Sequence, residues 1–156
     1  MGTIESIQPF LEPIRKSIRV DLPPDQAFEL FTSGIATWWP SHVHSISQQR
    51  IRDVVFEGRV GGRIYEQRDD GETFDWGDVI AWEPPRRFVM HWYPGRTADT
   101  AQEVEIHFLA EDSGTRVELE HRNWQSLGDQ AAEIRGQYDP GWDFVLGESF
   151  TKACGD

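Results

Sequence analysis

The residues of this 156-residue chain that could do chemistry are few and scattered. His42-Val43-His44 places two imidazoles on one side of an extended segment, where they could share a metal ion. No third ligand stands at a workable spacing and no H-E-x-x-H motif or carboxylate partner follows, so the pair reads as a polar loop lidding a pocket and no metal is assigned. His121 shares the inward phase of its strand with Val117 and Leu119. It is either a general base facing a cavity or a hydrogen-bonded strand-end histidine, and the second reading is favoured. His91 and His107 fall in the outward phase of their strands. Asp78 is in phase with Trp76 and Ile80, and a carboxylate facing an apolar pocket would accept a proton or hold a polar ligand group. The competing reading is a β-bulge at Gly77 that turns Asp78 outward. Glu66, beside Ile64, poses the same question. Ser41, Ser126 and Ser149 have no nucleophile motif around them, and neither G-x-S-x-G nor G-x-x-x-x-G-K-[ST] occurs. Acyl transfer and nucleotide binding are therefore unsupported.

The elements that must position these residues follow from periodicity. Residues 1–12 read as a loose lead-in and residues 13–153 as a single domain. Ile14 to Leu22 alternates apolar with charged side chains and predicts a first strand. Pro24 and Asp25 suit a helix first turn, and Ala27, Phe28, Leu30 and Phe31 supply its apolar stripe. A second short helix, Ile35 to Trp39, is cut off by Pro40. Strand-like stretches then recur at 51–56, 63–67, 74–82, 88–93, 103–108 and 116–121. Pro84-Pro85 removes two backbone donors and turns the chain between the fourth and fifth strands, counting Ile14 to Leu22 as the first. In the arm before that corner, Phe74, Trp76, Ile80 and Trp82 share one phase. Ser126 to Ala153 has helical spacing, with an expected interruption at Asp139-Pro140-Gly141. The order is strand, two short helices, six meandering strands and a long C-terminal helix. An antiparallel sheet of six to seven strands could wrap around that helix, and one helix under a broad concave sheet leaves an apolar cavity.

Bulk properties bound the partners. The net charge is −12, split as 11 basic against 14 acidic groups over residues 1–98 and 4 against 13 over residues 99–156. Such a field repels phosphate backbones and anionic lipid, so no nucleic acid is expected. The single cysteine, Cys154, permits neither an intrachain disulfide nor a thiolate metal cage. No basic leader region and no run of eighteen apolar residues is present, so no membrane insertion and a cytoplasmic location are expected. Seven Trp and nine Phe concentrate burial in a few large rings.

Taken together, Trp38-Trp39, Gly61-Gly62, Trp76-Gly77-Asp78-Val79 running to Trp82-Glu83-Pro84-Pro85-Arg86, and Gly141-Trp142-Asp143-Phe144-Val145-Leu146 resemble the domain of the activator of heat shock protein 90 ATPase homologue type. The resemblance covers nearly all of residues 13–153. It implies an α+β fold of the START-like, SRPBCC, helix-grip kind, with an apolar pocket between the sheet and the last helix. The co-chaperone after which the family is named has a separate N-terminal half that carries much of its chaperone contact. This sequence shows no counterpart, so the family name is not read as an activity. The pocket is expected to be lined by Trp38, Trp39, Tyr65, Trp76, Met90, Trp92, Phe108, Trp142 and Leu146. The expected role is binding a small apolar or aromatic molecule, without catalysis and without a cofactor. One alternative is an enzyme of the cyclase or hydratase kind using Asp78 or His121 as general base. Another is a protein-interaction module, chaperone-linked, acting through the acidic face.

Overall fold

Seven stretches of alternating apolar and charged residues form seven strands in the computed structural model, which describes residues 10–155. They are β1 (Ile14–Val20), β2 (Ile51–Phe56), β3 (Arg63–Arg68), β4 (Thr73–Glu83), β5 (Arg87–Trp92), β6 (Gln102–Glu111) and β7 (Gly114–Arg122). The expected lead-in over residues 1–12 lies mostly outside the described residues. The strands make one antiparallel sheet in the order β1-β7-β6-β5-β4-β3-β2. β2 to β7 is therefore a plain meander, and β1 closes beside β7 with Ile14 opposite His121. Between β1 and β2 comes α1 (Pro24–Phe31), with proline in its first turn and Ala27, Phe28 and Phe31 buried. A single turn of tight helix, Ile35–Thr37, follows.

After β7, Asn123 adopts a left-handed conformation (φ 70°) and turns the chain into a helical region. α2 (Ala131–Trp142) continues without a break through π-helical turns at Asp143–Phe150 into α3 (Thr151–Ala153). The expected interruption at Pro140 does not occur. A proline inside a helix forfeits one hydrogen bond and crowds the preceding turn, and here the turns after it are widened instead of ended. Lys16 of β1 pairs with Asp139 and with Asp143, the latter at 3.0 Å, and so ties the helix to the sheet on both sides of Pro140.

β4 also departs from its expected phase. Its register slips against β3 between Ile64 and Tyr65 and against β5 between Val79 and Ala81. Each bulge adds a residue, so the inward, buried positions are Trp76 and Val79, with Trp82 packing inward on Phe28 and Phe56, at a spacing of three. Gly77, beside the first bulge, permits the close approach of β5: a Cβ there would fall 1.8 Å from the backbone oxygen of His91.

The space between sheet and helix is unequally filled. Towards α1, Phe28, Phe31, Phe88, Phe108 and Phe150 pack with Trp38 and Trp82, ring centroids 4.8–6.3 Å apart. These rings carry no buried polar atom except the two indole N–H groups, and that of Trp38 donates to the Leu30 carbonyl at 2.9 Å. Towards the other end the filling is incomplete.

Candidate functional site: a tryptophan-floored cleft

At that end lies a cleft of about 450 Å³. Its floor is built by Trp39, Trp76 on β4, Trp92 on β5 and Trp142 on α2. One wall is a helix face, Ile134, Gln137, Tyr138, Gly141 and Val145; the other is the segment Val43, His44, Ser45 and Ile46, with Pro94 and Arg96 at the rim. The four indoles pack on one another with centroids 5.1–6.1 Å apart, and none is more than 8% exposed.

Every indole N–H in this floor is already used. Trp39 donates to the His44 carbonyl at 2.8 Å, Trp76 to Glu66 at 2.6 Å, Trp92 to the Tyr138 hydroxyl at 3.0 Å and Trp142 to His121 Nδ1 at 2.9 Å. What the indoles offer to the cleft is therefore hydrocarbon ring. Burying such donors without partners would cost about 1–3 kcal/mol each.

His121 is fully buried, stacked on Trp124 at 4.1 Å and edge-on to Tyr138. Burial, reinforced by the nearby Arg135 charge, pushes its pKa down to about 3, so the ring is neutral at pH 7. Its Nδ1 accepts from Trp142, which assigns the proton to Nε2, and that N–H donates to Gln102 Oε1 at 3.2 Å. Both ring nitrogens are committed, and no lone pair is left for a substrate proton. Glu66, fully buried on β3, accepts three N–H bonds: Ile46 N at 2.8 Å, Ser47 N at 2.6 Å and the Trp76 indole. It thereby fastens the cleft-lining segment to the floor.

The other expected site residues separate clearly. Trp39, Trp76, Trp92 and Trp142 line the cleft; Trp38, Met90, Phe108 and Leu146 do not. Those four are at most 7% exposed and belong to the packed core. Tyr65 points to the other side of the sheet, where the Arg63 guanidinium lies 4.2 Å from its ring centroid, because Ile64 and Glu66 are the inward residues of β3. Asp78 also lies on the outer face. The bulge pairs it with His91, whose Nδ1 is 3.1 Å away, and the Tyr93 hydroxyl donates to it at 3.2 Å. It has no access to the cleft from there.

His42 and His44 diverge, His44 lining the cleft beside Phe144 and His42 lining a separate cavity with Arg52 and Asp53. Among the described residues no group of three His, Cys, Asp or Glu is placed to hold a metal ion. His91 and His107 are partly exposed on the outer face. Ser41 and Ser126 donate to backbone carbonyls, and Cys154 is buried with its thiol pushed up to about 12 by desolvation. Tyr138, Ile134 and Val145 were missed from the sequence. Their signal is the spacing 134, 138, 142, 145, one face of a single helix that runs through Pro140.

A seven-stranded antiparallel sheet curled around a long C-terminal helix is the START-like helix-grip class of fold. Within that class the chain belongs to the family described as activator of Hsp90 ATPase homolog 1-like protein, matched over residues 21–155. An anthrahydroquino-γ-pyrone synthase, Txn09, solved as a complex, is 36% identical, with 93% of this chain and 99% of that one covered and a TM-score of 0.63. CalC, a self-sacrificing resistance protein from Micromonospora echinospora, is 25% identical over 92% of this chain and 94% of its own, with a TM-score of 0.65. The Aha1 dimer from Colwellia psychrerythraea shares the fold at 18% identity, covering 88% and 99% of the two chains with a TM-score of 0.58. No curated protein matches the chain. No helix among the described residues is long and apolar enough to cross a membrane.

Proposed function

We propose that the cleft binds a planar aromatic molecule of polyketide type. The observation that carries this reading is the floor of four indoles whose N–H groups are all engaged elsewhere, which leaves flat apolar surface for a flat apolar guest. A volume of about 450 Å³ suits a fused three-ring molecule. The likeness to a protein whose name specifies an anthrahydroquinone-derived product supports the same ligand class. Quenching of tryptophan fluorescence by anthraquinone-2-sulfonate tests it. Saturable quenching in the micromolar range, lost in Trp92→Ala, is expected; no saturable quenching up to millimolar concentrations refutes the reading.

A second reading, ring closure of the bound molecule, is favoured by the 36% identity to a synthase along almost the whole length of both chains. Asp78 and His121, the candidate bases of the alternative enzyme reading, are unsuited to it: the first is outside the cleft and the second has no free nitrogen lone pair. The imidazole that does line the cleft is His44. Catalysis would then rest on holding a flexible substrate in its ring-closing conformation, with His44 taking the proton of the attacking phenol as its C–O bond forms at the ketone carbon and returning it to the former carbonyl oxygen, which takes the displaced π pair. His44→Ala should lower turnover of a ring-opened phenolic ketone about 100-fold while leaving its binding within threefold. Equal turnover by the variant would remove His44 from the mechanism.

A further inference from the structure

We infer that Tyr138 is the hydrogen-bond donor that orients the guest, by seizing a carbonyl oxygen, so that the cleft selects aromatic ketones and quinones over hydrocarbons of the same shape. This rests on the reading of the cleft as an aromatic binding site and adds a polar requirement to it. The hydroxyl of Tyr138 accepts the Trp92 indole N–H at 3.0 Å, which fixes one of its lone pairs. A phenol has one proton to give as well, and no acceptor for that proton exists among the described residues. The ring edge is held by His121 at 4.8 Å and Trp124 at 5.9 Å, so the hydroxyl is not free to swing away. With Trp92 on one side and packed rings on another, the remaining direction for the O–H is the cleft that Tyr138 lines.

Of the other polar groups of the cleft, the His44 imidazole, packed beside Phe144, forms no side-chain hydrogen bond among the described residues and lies on the wall formed by residues 43–46, apart from the Trp92–Tyr138 pair; the rest do not compete for this role. The four indoles and His121 have spent their donors, and Ser45 donates to the Ser41 carbonyl. Gln137 is exposed on the helix, and Arg96, which donates to Gln130, is at the rim. Desolvation holds the phenol well above its usual ionisation range, so at neutral pH it is a donor and not a phenolate. A bound carbonyl would receive this proton and complete the chain Trp92 N–H to Tyr138 O–H to ligand oxygen, in which each bond polarises the next.

The test compares two probes of one shape, anthraquinone-2-sulfonate and anthracene-2-sulfonate, by calorimetric titration of wild type and Tyr138→Phe. The shared sulfonate cancels contacts to the rim. Loss of the phenol also deprives Trp92 of its partner, and that structural cost falls on both probes equally. Wild type is expected to prefer the quinone, and Tyr138→Phe to weaken quinone binding about tenfold while changing the hydrocarbon less than twofold. Equal weakening of both probes, or no weakening of either, overturns the assignment of Tyr138 and leaves the aromatic cleft standing. If wild type binds neither probe, the aromatic-cleft reading falls and this inference with it.

Discussion

Glu66→Gln removes one charge from a buried site and keeps its shape, so its effect measures what the three N–H bonds hold together. In the native protein Oε1 accepts both Ile46 N and the Trp76 indole, and Oε2 accepts Ser47 N. An amide has one acceptor oxygen and one NH2 group that only donates. The favourable orientation leaves the oxygen at the Oε1 position, because two donors converge there and the indole of Trp76, 1% exposed, has no route to water. The NH2 then meets Ser47 N–H head on. One charge-assisted bond is lost, worth about 1.5–3 kcal/mol, and the opposed donors force Ser47 away from the sheet. Guanidinium unfolding followed by tryptophan fluorescence should therefore show a loss of about 1.5–3 kcal/mol with little change in slope. The lost bond is local, so native-state trypsin cleavage after Arg50 and Arg52, both exposed and just beyond Ser47, should accelerate more than the global loss requires. A variant within 0.5 kcal/mol of wild type, or one whose cleavage at Arg50 is unchanged, would show that Glu66 does not fasten this segment.

Three further outcomes are expected. Gly141→Ala should gain about 0.5–1 kcal/mol in thermal unfolding by restricting the unfolded chain, since its Cβ meets nothing closer than His44 Cε1 at 4.0 Å; the same Cβ intrudes on the cleft and should weaken binding of anthraquinone-2-sulfonate. Gly77→Ala drives a methyl group to 1.8 Å from the His91 oxygen and should cost at least about 3 kcal/mol, read as loss of soluble protein or a large fall in Tm. His121 has a folded-state pKa near 3, below its unfolded value, so below about pH 6.5 the unfolded chain binds one more proton than the native one. Stability should fall with pH from that point at up to about 1.4 kcal/mol per unit, through a window ending near pH 3. Glu105, held down to about 2 by its hydrogen bonds to Arg87, Arg122 and His107 against the cost of burial, adds its own loss only below about pH 4.5. An unfolding free energy flat between pH 6.5 and 5 would mean that His121 is not buried neutral.

The sheet was legible because its signal is local and repeated. Alternation in β1, β6 and β7 survives unbroken in the burial of Ile14, Val104, Ile106, Phe108, Val117 and Leu119, and the Pro84-Pro85 corner lies where β4 meets β5. The site was less legible because it depends on departures from period. In β4, a strict count of two places Asp78 inside; the bulge opposite Ile64 and Tyr65 places it outside and brings Val79 in, and the trace of it in the sequence is Gly77. Tyr65 was assigned inward while its neighbour Glu66, the polar residue, occupies the interior. Alternation with Ile64 puts Glu66 on the inner face, but nothing local shows what satisfies its carboxylate, because its donors are a loop twenty residues away and an indole on the next strand. Tyr138 was hidden for the opposite reason: a proline that usually ends a helix sits inside one.

The division of aromatic residues between the two ends of the grip explains how a cleft survives inside a collapsing chain. Apolar side chains minimise exposed area and close any void they can reach, and the end beneath α1, built largely from phenylalanine, is filled. Around the cleft the rings are tryptophan, tyrosine and histidine, and each of the four floor indoles directs its N–H to one partner: Glu66, the His44 carbonyl, Tyr138 or His121. An indole whose N–H is buried and paired cannot rotate into an adjacent void without breaking that bond, at about 1–3 kcal/mol, roughly what burying more of its ring would return. The hydrogen bonds thus act as struts against hydrophobic closure. Glu66, itself behind the lining residues, belongs to the cleft as much as the tryptophans do, because without its strut Trp76 is free to move into the space it now borders.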